Sequence, residues 1–203
     1  MRVLGYDTSV IETLILANVL MFIITLINPD LIINNLGLQP SLALERPWTL
    51  VTSMFLHGGL WHLFANMFTL FFFGNYLQGL IGGKDLLKLY FVGGILGNIL
   101  VVFLADPNSI AVGASGAIFA LGGTLSVLRP NLKVFIIPFP IPIPLWIAVI
   151  GGFLVLSLMP SISWQAHLGG LIAGLVFGYY FKNKKNGVGR EDVYRFYDYR
   201  YRY

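Results

Sequence analysis

Two residues whose types pair in hydrolytic chemistry stand at the heads of separate apolar stretches. Ser115 lies in Gly113-Ala114-Ser115-Gly116, ahead of a run that continues to Leu128, and His167 opens the last run in Gln165-Ala166-His167-Leu168-Gly169-Gly170. A serine hydroxyl attacks a carbonyl only when a base takes its proton, and histidine is the commonest such base. His62 and Asn66 occupy a third apolar stretch. Their i, i+4 spacing puts both on one helix face, where they could donate to a developing oxyanion beside the Ser115 amide. Phe119, one turn beyond Ser115, could pack on the His167 ring and orient it. Gly113 would let the backbone turn tightly, and Gly116 would let its helix approach the one that carries His167.

The elements that must position these groups are membrane helices. With 57% hydrophobic and 11% charged residues and a mean hydropathy of +0.78, a soluble chain of 203 residues is excluded. At roughly 20 apolar residues per crossing, the expected fold class is an all-α membrane protein of six spans. Runs between charges place them at 10 to 28, 57 to 80, 86 to 105, 115 to 128, 134 to 158 and 167 to 181. The expected division is a membrane domain over 1–181 and a cytoplasmic, basic, Tyr/Arg-rich tail over 182–203. No secretory cleavage signal precedes the first span, so no processing is expected there. With the N-terminus in the cytoplasm, 12 of the 13 Lys and Arg residues fall inside and only Arg46 outside, the asymmetry that sets orientation. The net charge of +4 is then a topology signal, and nucleic acid is not an expected partner. The absence of cysteine removes disulfides, thiolate metal sites and cysteine nucleophiles.

Helix arithmetic gives the polar residues a common depth. Ser115 lies 14 residues before Arg129 and His167 lies 15 before Lys182, or roughly 21 to 23 Å from the cytoplasmic boundary. Asn66 lies at a similar depth and His62 one turn further out. Each residue alone has a bland reading: a glycine-flanked serine as a packing residue, a histidine as an interfacial hydrogen-bonder, an asparagine as interhelical glue. Their coincidence in one outer-side layer points to a functional cavity, because polar groups in the apolar layer are costly.

None of the nine carboxylates lies mid-span near this layer, so a Ser115–His167 dyad is expected, without an acidic third member. Three histidines without a companion carboxylate make a poor zinc set, and neither a metal nor another cofactor is expected. Gly170, Gly174 and Gly178 on the sixth span, and Gly93 and Gly97 on the third, have small-xxx-small spacing suited to close packing.

Three segments depart from plain spans. Asn28 to Pro47 is a long outer loop carrying Asp30, Glu45 and Arg46. Pro138, Pro140, Pro142 and Pro144 forbid a regular helix between Phe135 and Pro144, so the fifth span is expected to start near Leu145. The tail ends in alternating aromatic and basic residues suited to a membrane surface.

Taken in order, His57-Gly58-Gly59-Leu60-Trp61-His62-Leu63-Phe64-Ala65-Asn66, Gly113-Ala114-Ser115-Gly116 and Ala166-His167-Leu168-Gly169-Gly170-Leu171-Ile172-Ala173-Gly174 resemble the signature segments of the rhomboid intramembrane serine proteases, in their minimal six-helix prokaryotic form. The resemblance runs from the first span to about Phe181. It implies Ser115 as nucleophile, His167 as general base and His62 and Asn66 in the oxyanion hole. It also implies a cavity open to the outer face and, as partners beyond the lipid bilayer, single-pass membrane proteins cut in or near their transmembrane helix at small residues. The fifth span would be the mobile, substrate-admitting side. Departures are Arg46-Pro47-Trp48-Thr49 where many relatives have Trp-Arg, Gln78 where Glu is frequent, and Phe119 where Tyr is also common. A catalytically silent, client-binding relative is the alternative, although such relatives typically lack the serine or the histidine. A small transporter or channel would need polar residues continuing inward, and the second and fourth spans turn apolar instead.

Overall fold

A computed structural model describes residues 2–3, 6–7, 9–136, 139–160 and 162–186. Strands β1 (Arg2–Val3) and β2 (Tyr6–Asp7) form a short antiparallel ribbon ahead of α1 (Val10–Ile27). The start of α1 is fixed by a capping box: the Glu12 amide donates to the Ser9 hydroxyl at 3.1 Å, and the Ser9 amide donates to the Glu12 carboxylate at 3.0 Å.

The loop after α1 contains a helix, α2 (Pro29–Leu36), begun by an Asn28 cap and Pro29. A helix leaves its last four carbonyls without partners of its own. Here all four are paired: Ile33 O accepts from the Gly37 amide, Asn34 O from the Arg46 guanidinium, Asn35 O from the Trp48 indole and Leu36 O from the Thr52 hydroxyl, at 2.6 to 3.0 Å. Arg46-Pro47-Trp48 thus supplies the loop's anchor. The short α3 (Thr49–Thr52) follows.

Four further segments align with apolar runs of the sequence: α4 (Leu60–Ile81), α5 (Gly83–Leu104), α6 (Ser115–Leu128) and, after a ribbon, α7 (Leu145–Ser157). Between α4 and α5 the chain reverses at Gly82, whose φ of 83° is open to glycine at little cost. The proline-rich segment forms β3 (Lys133–Ile136) and β4 (Phe139–Pro144), an antiparallel pair with Val134 opposite Ile143. The Leu145 amide donates to Leu132 O at 2.8 Å, so residues 143 and 145 face β3 and Pro142 and Pro144, lacking N–H groups, face away. That is how a strand tolerates alternating proline. Pro138 lies outside the described residues.

The last helix, α8 (Trp164–Asn186), starts three residues before His167 and continues five beyond Phe181. The tail expected from 182 is therefore helical at first, and its Tyr/Arg-rich part lies outside the described residues. Among the described residues, α1 and α5 are each long and apolar enough to cross a membrane.

The molecule is built around α6, which packs on α8 and α5 and is bordered by α4 and α7. Nine of its residues, from Gly116 to Leu125, are buried. In lipid there is little gain from exchanging one apolar neighbour for another, so close packing carries the association. Added Cβ atoms at Gly170 and Gly174 would overlap the backbone of Gly116 and Ala120, and one at Gly97 would meet the Ala166 carbonyl. The Thr124 hydroxyl donates to Gly174 O at 2.8 Å, locking α6 to α8.

Candidate active site

Ser115 is the first residue of α6, so its amide belongs to the group of N–H donors that the helix leaves unpaired. The turn into it needs Gly113, which has a φ of 130°. There an added Cβ would also lie 2.9 Å from the His62 ring. A side chain at 113 would be strained by the backbone and blocked by the imidazole.

His167 sits in the first turn of α8, and the closeness of α6 to α8 determines where its ring falls. Its Nε2 lies 2.7 Å from the Ser115 Oγ, within hydrogen-bond range for proton transfer. The ring is 4% exposed, and Phe119 packs on it at 4.6 Å between centroids, inclined 31°. Among the described residues the Nδ1 atom has no partner and no carboxylate holds the imidazole from behind. Steric contact with Phe119 and the α6–α8 backbone packing fix it instead.

His62 and Asn66 lie on α4, across from Ser115. The Gly58 amide points at His62 Nδ1 at 3.4 Å, which makes that atom the acceptor and favours a proton on Nε2, the atom facing Gly113. One hydrogen of the Asn66 amide is used by its own helix, bonding His62 O at 2.8 Å. The second has no acceptor among the described residues. Asn66 and Ser115 both line a cavity of about 260 Å³ between α4, α6 and α7.

The loop that leads into Ser115 is held by polar residues that spacing alone did not single out. The Gly113 amide donates to Ser53 O at 2.9 Å. Asn98 of α5 donates to Ser53 Oγ at 2.9 Å and to Leu50 O at 2.8 Å. Leu38 and Ala111 exchange two backbone bonds that tie the loop after α2 to the approach to Ser115. Asn98, a polar side chain within an apolar run, was the visible signal. His57 was also passed over as a site residue; it is 2% exposed and stands edge-on to His62 at 5.0 Å between centroids.

Comparison with known proteins agrees with this arrangement of segments. A family model described as Rhomboid domain matches residues 44–184. Rhomboid protein 1, mitochondrial, of Saccharomyces cerevisiae is 30% identical over 142 residues, covering 65% of this chain and 41% of its own length. RHOMBOID-like protein 1 of Arabidopsis thaliana is 36% identical over 135 residues, covering 66% and 34%. Inactive RHOMBOID-like protein 8 of the same plant is 34% identical over 128 residues, covering 62% and 36%. The chain spans about two-fifths or less of the length of these curated relatives. With more than half of its residues matched, the chain belongs to the rhomboid family, helical membrane proteins that are generally intramembrane serine proteases and include inactive members.

Proposed function

We propose that this protein is an intramembrane serine endopeptidase that cuts single-pass membrane proteins in or near their transmembrane helix, using Ser115 and His167 as a dyad. The observation that carries the reading is the 2.7 Å approach of His167 Nε2 to Ser115 Oγ at the end of a cavity lined by apolar side chains. Ser115 Oγ bonds to the scissile carbonyl carbon while its proton passes to His167 Nε2. The oxyanion is met by the Ser115 amide and by the His62 and Asn66 donors. Collapse breaks the C–N bond, and His167 returns the proton to the leaving amine. Water then attacks the acyl-enzyme with His167 again as base, releasing the acid and restoring Ser115. Preorganised oxyanion donors of this kind are each worth about 10²- to 10³-fold in rate.

The same proposal places six spans in the bilayer, α1, α4, α5, α6, α7 and α8, with both termini cytoplasmic and the cavity toward the outer face. Helix length supports it. The 14 residues of α6 cover about 21 Å, less than a hydrocarbon core of about 30 Å, which sinks Ser115 below the outer surface if Arg129 marks the inner one. The membrane domain would occupy 1–181 and the basic tail would lie on the cytoplasmic surface.

A relative named as inactive makes the silent, client-binding reading the second one. It predicts no cleavage. The deciding experiment is cleavage of a single-pass membrane substrate by the purified protein in liposomes, with Ser115→Ala and His167→Ala as comparisons. Loss of cleavage in both folded variants is the expected result; cleavage that persists in either would remove the dyad.

A further inference from the structure

Another groove follows the seam between α5 and α8 and shares no residue with the site around Ser115. It holds about 250 Å³ and lies between Leu96 and Ile99 of α5 and Ile172 and Val176 of α8. Every side chain that lines it is apolar. In a bilayer such walls select nothing by themselves, because lipid tails are as apolar as leucine. Any preference must come from the ends of the groove.

One end carries charge from both walls. Back along α5, Ile99, Leu96 and Val92 lead to Lys88; forward along α8, Ile172, Val176 and Tyr180 lead to Lys184. Steps of three and four keep each series on one helix face, and Val92, Lys88, Tyr180 and Lys184 are all exposed. The two helices run antiparallel: Gln165 Nε2 donates to Leu104 O at 3.3 Å, and a Cβ added to Gly169 would lie 2.8 Å from Leu96 O. Continuing that register at equal rise sets Lys88 opposite the turn of α8 from 177 to 181. The side chains close the remaining distance. Lys88 reaches back to Asp85 at 3.5 Å, and Lys184 reaches back over the Tyr180 ring, 5.9 Å from its centroid. Two ammonium groups from different helices are thus drawn to about the same level. The Lys88–Asp85 contact is an exposed i, i+3 pair of little strength, so this ammonium can turn to another anion.

The length of the groove completes the match. From Lys88 to Leu100, and from Ile172 to Lys184, is 12 residues, or roughly 18 Å of helix axis. That is close to half of a roughly 30 Å hydrocarbon core, the depth of one leaflet. Two converging ammonium groups at the leaflet boundary fit a headgroup phosphate, whereas an apolar helix of a partner would bring them no counter-ion.

We infer that the α5–α8 groove binds an anionic glycerophospholipid, one acyl chain lying against Leu96, Ile99, Ile172 and Val176 and the headgroup phosphate between Lys88 and Lys184. The inference rests on α5 and α8 spanning the bilayer, as proposed above, and in that orientation the lipid belongs to the cytoplasmic leaflet. Each lysine near a membrane surface is worth about fivefold in affinity for anionic lipid.

The test uses the full-length protein in phosphatidylcholine vesicles that carry a minor fraction of a lipid with a photoreactive diazirine on its acyl chain, either phosphatidylglycerol or phosphatidylcholine. After irradiation, labelled residues are located by peptide mapping. The exposed Leu16 and Leu20 face of α1 serves as the reference for lipid that is not selected. In the groove, the phosphatidylglycerol label is expected to exceed the phosphatidylcholine label by at least about fivefold relative to α1. Lys88→Gln with Lys184→Gln should bring that ratio to about one, and because both side chains are exposed the fold should be unaffected. A wild-type ratio of one, or a ratio unmoved in the double variant, would overturn the site. Label on α1 with none in the groove from either lipid would also overturn it, since something other than lipid then covers the seam. Absence of label on α1 as well would overturn the reading of these helices as spans, and the site with it.

Discussion

The two sides of α6 are built on opposite principles. Toward α8 it meets backbone with backbone, Gly170 against Gly116 and Gly174 against Ala120, and toward α5 the Ala120 methyl sits directly on Gly93. Toward α4 and α7 it borders a cavity, and of α7 only Leu145 and Val149 are buried. The contrast separates two requirements of catalysis. A serine and a histidine contributed by different helices keep a 2.7 Å spacing only if those helices cannot slide, whereas a substrate can enter only where packing is incomplete. Under the proposed function, the first job would fall to the glycine contacts and the second to the incompletely packed side.

The same substitution on the two sides should therefore give opposite results. The largest effect is expected for Gly170→Ala. Its methyl has no space against the Gly116 carbonyl, so α8 must move. Overpacking of this kind costs about 1–3 kcal/mol or more, and a shift of about 1 Å at a catalytic group costs about 10²-fold in rate. Thermal unfolding in detergent and cleavage in liposomes should both report the loss; a neutral Gly170→Ala would mean that the tight side is not tight. Next comes Asn98→Leu, which leaves Leu50 O and Ser53 without their donor. A destabilisation of about 1–3 kcal/mol should appear in the unfolding midpoint.

Phe119→Leu sharpens the comparison at the site itself. Removing the ring that packs on His167 should lower kcat by about tenfold, while Phe119→Tyr should retain activity, since the aromatic face survives. Equal losses in both would transfer the ring's role elsewhere. The smallest effect is expected for Gly152→Ala on the open side. With no atom within 4 Å of the new methyl, the helix should gain up to about 1 kcal/mol in stability. Destabilisation there would show that α7 is more tightly packed than its cavity implies.

Much of this division was legible in the sequence. The places of Ser115 at the start of α6 and of His167 in the first turn of α8 follow from the apolar runs that those residues open. The spacing of Gly170, Gly174 and Gly178 marks a close-packing face, although not which helix it meets; that α6 is the partner depends on three-dimensional order. Alternating proline excluded helix up to Leu145 but did not reveal that the segment pairs with residues 133–136, since pairing depends on a partner strand as well as on composition. The helix at Pro29–Leu36 was missed for a similar reason: its C-terminal carbonyls are satisfied by Arg46, Trp48 and Thr52, ten or more residues away in the chain. The support from Ser53 was hidden because it looks like an isolated packing residue until Gly113 is seen bonded to it, whereas Asn98 stands out as a polar side chain within an apolar run.

The central claim is that Ser115 and His167 act as one unit held by the tight side of α6. It is tested most directly by cleavage rates in liposomes for Ser115→Ala, His167→Ala and the double variant. Residues that act together are grossly non-additive. The account predicts that each single change lowers kcat by at least about 10³-fold and that the double variant is no slower than the singles. Losses that multiply in the double variant, or a single variant that retains most of the wild-type rate, would contradict it.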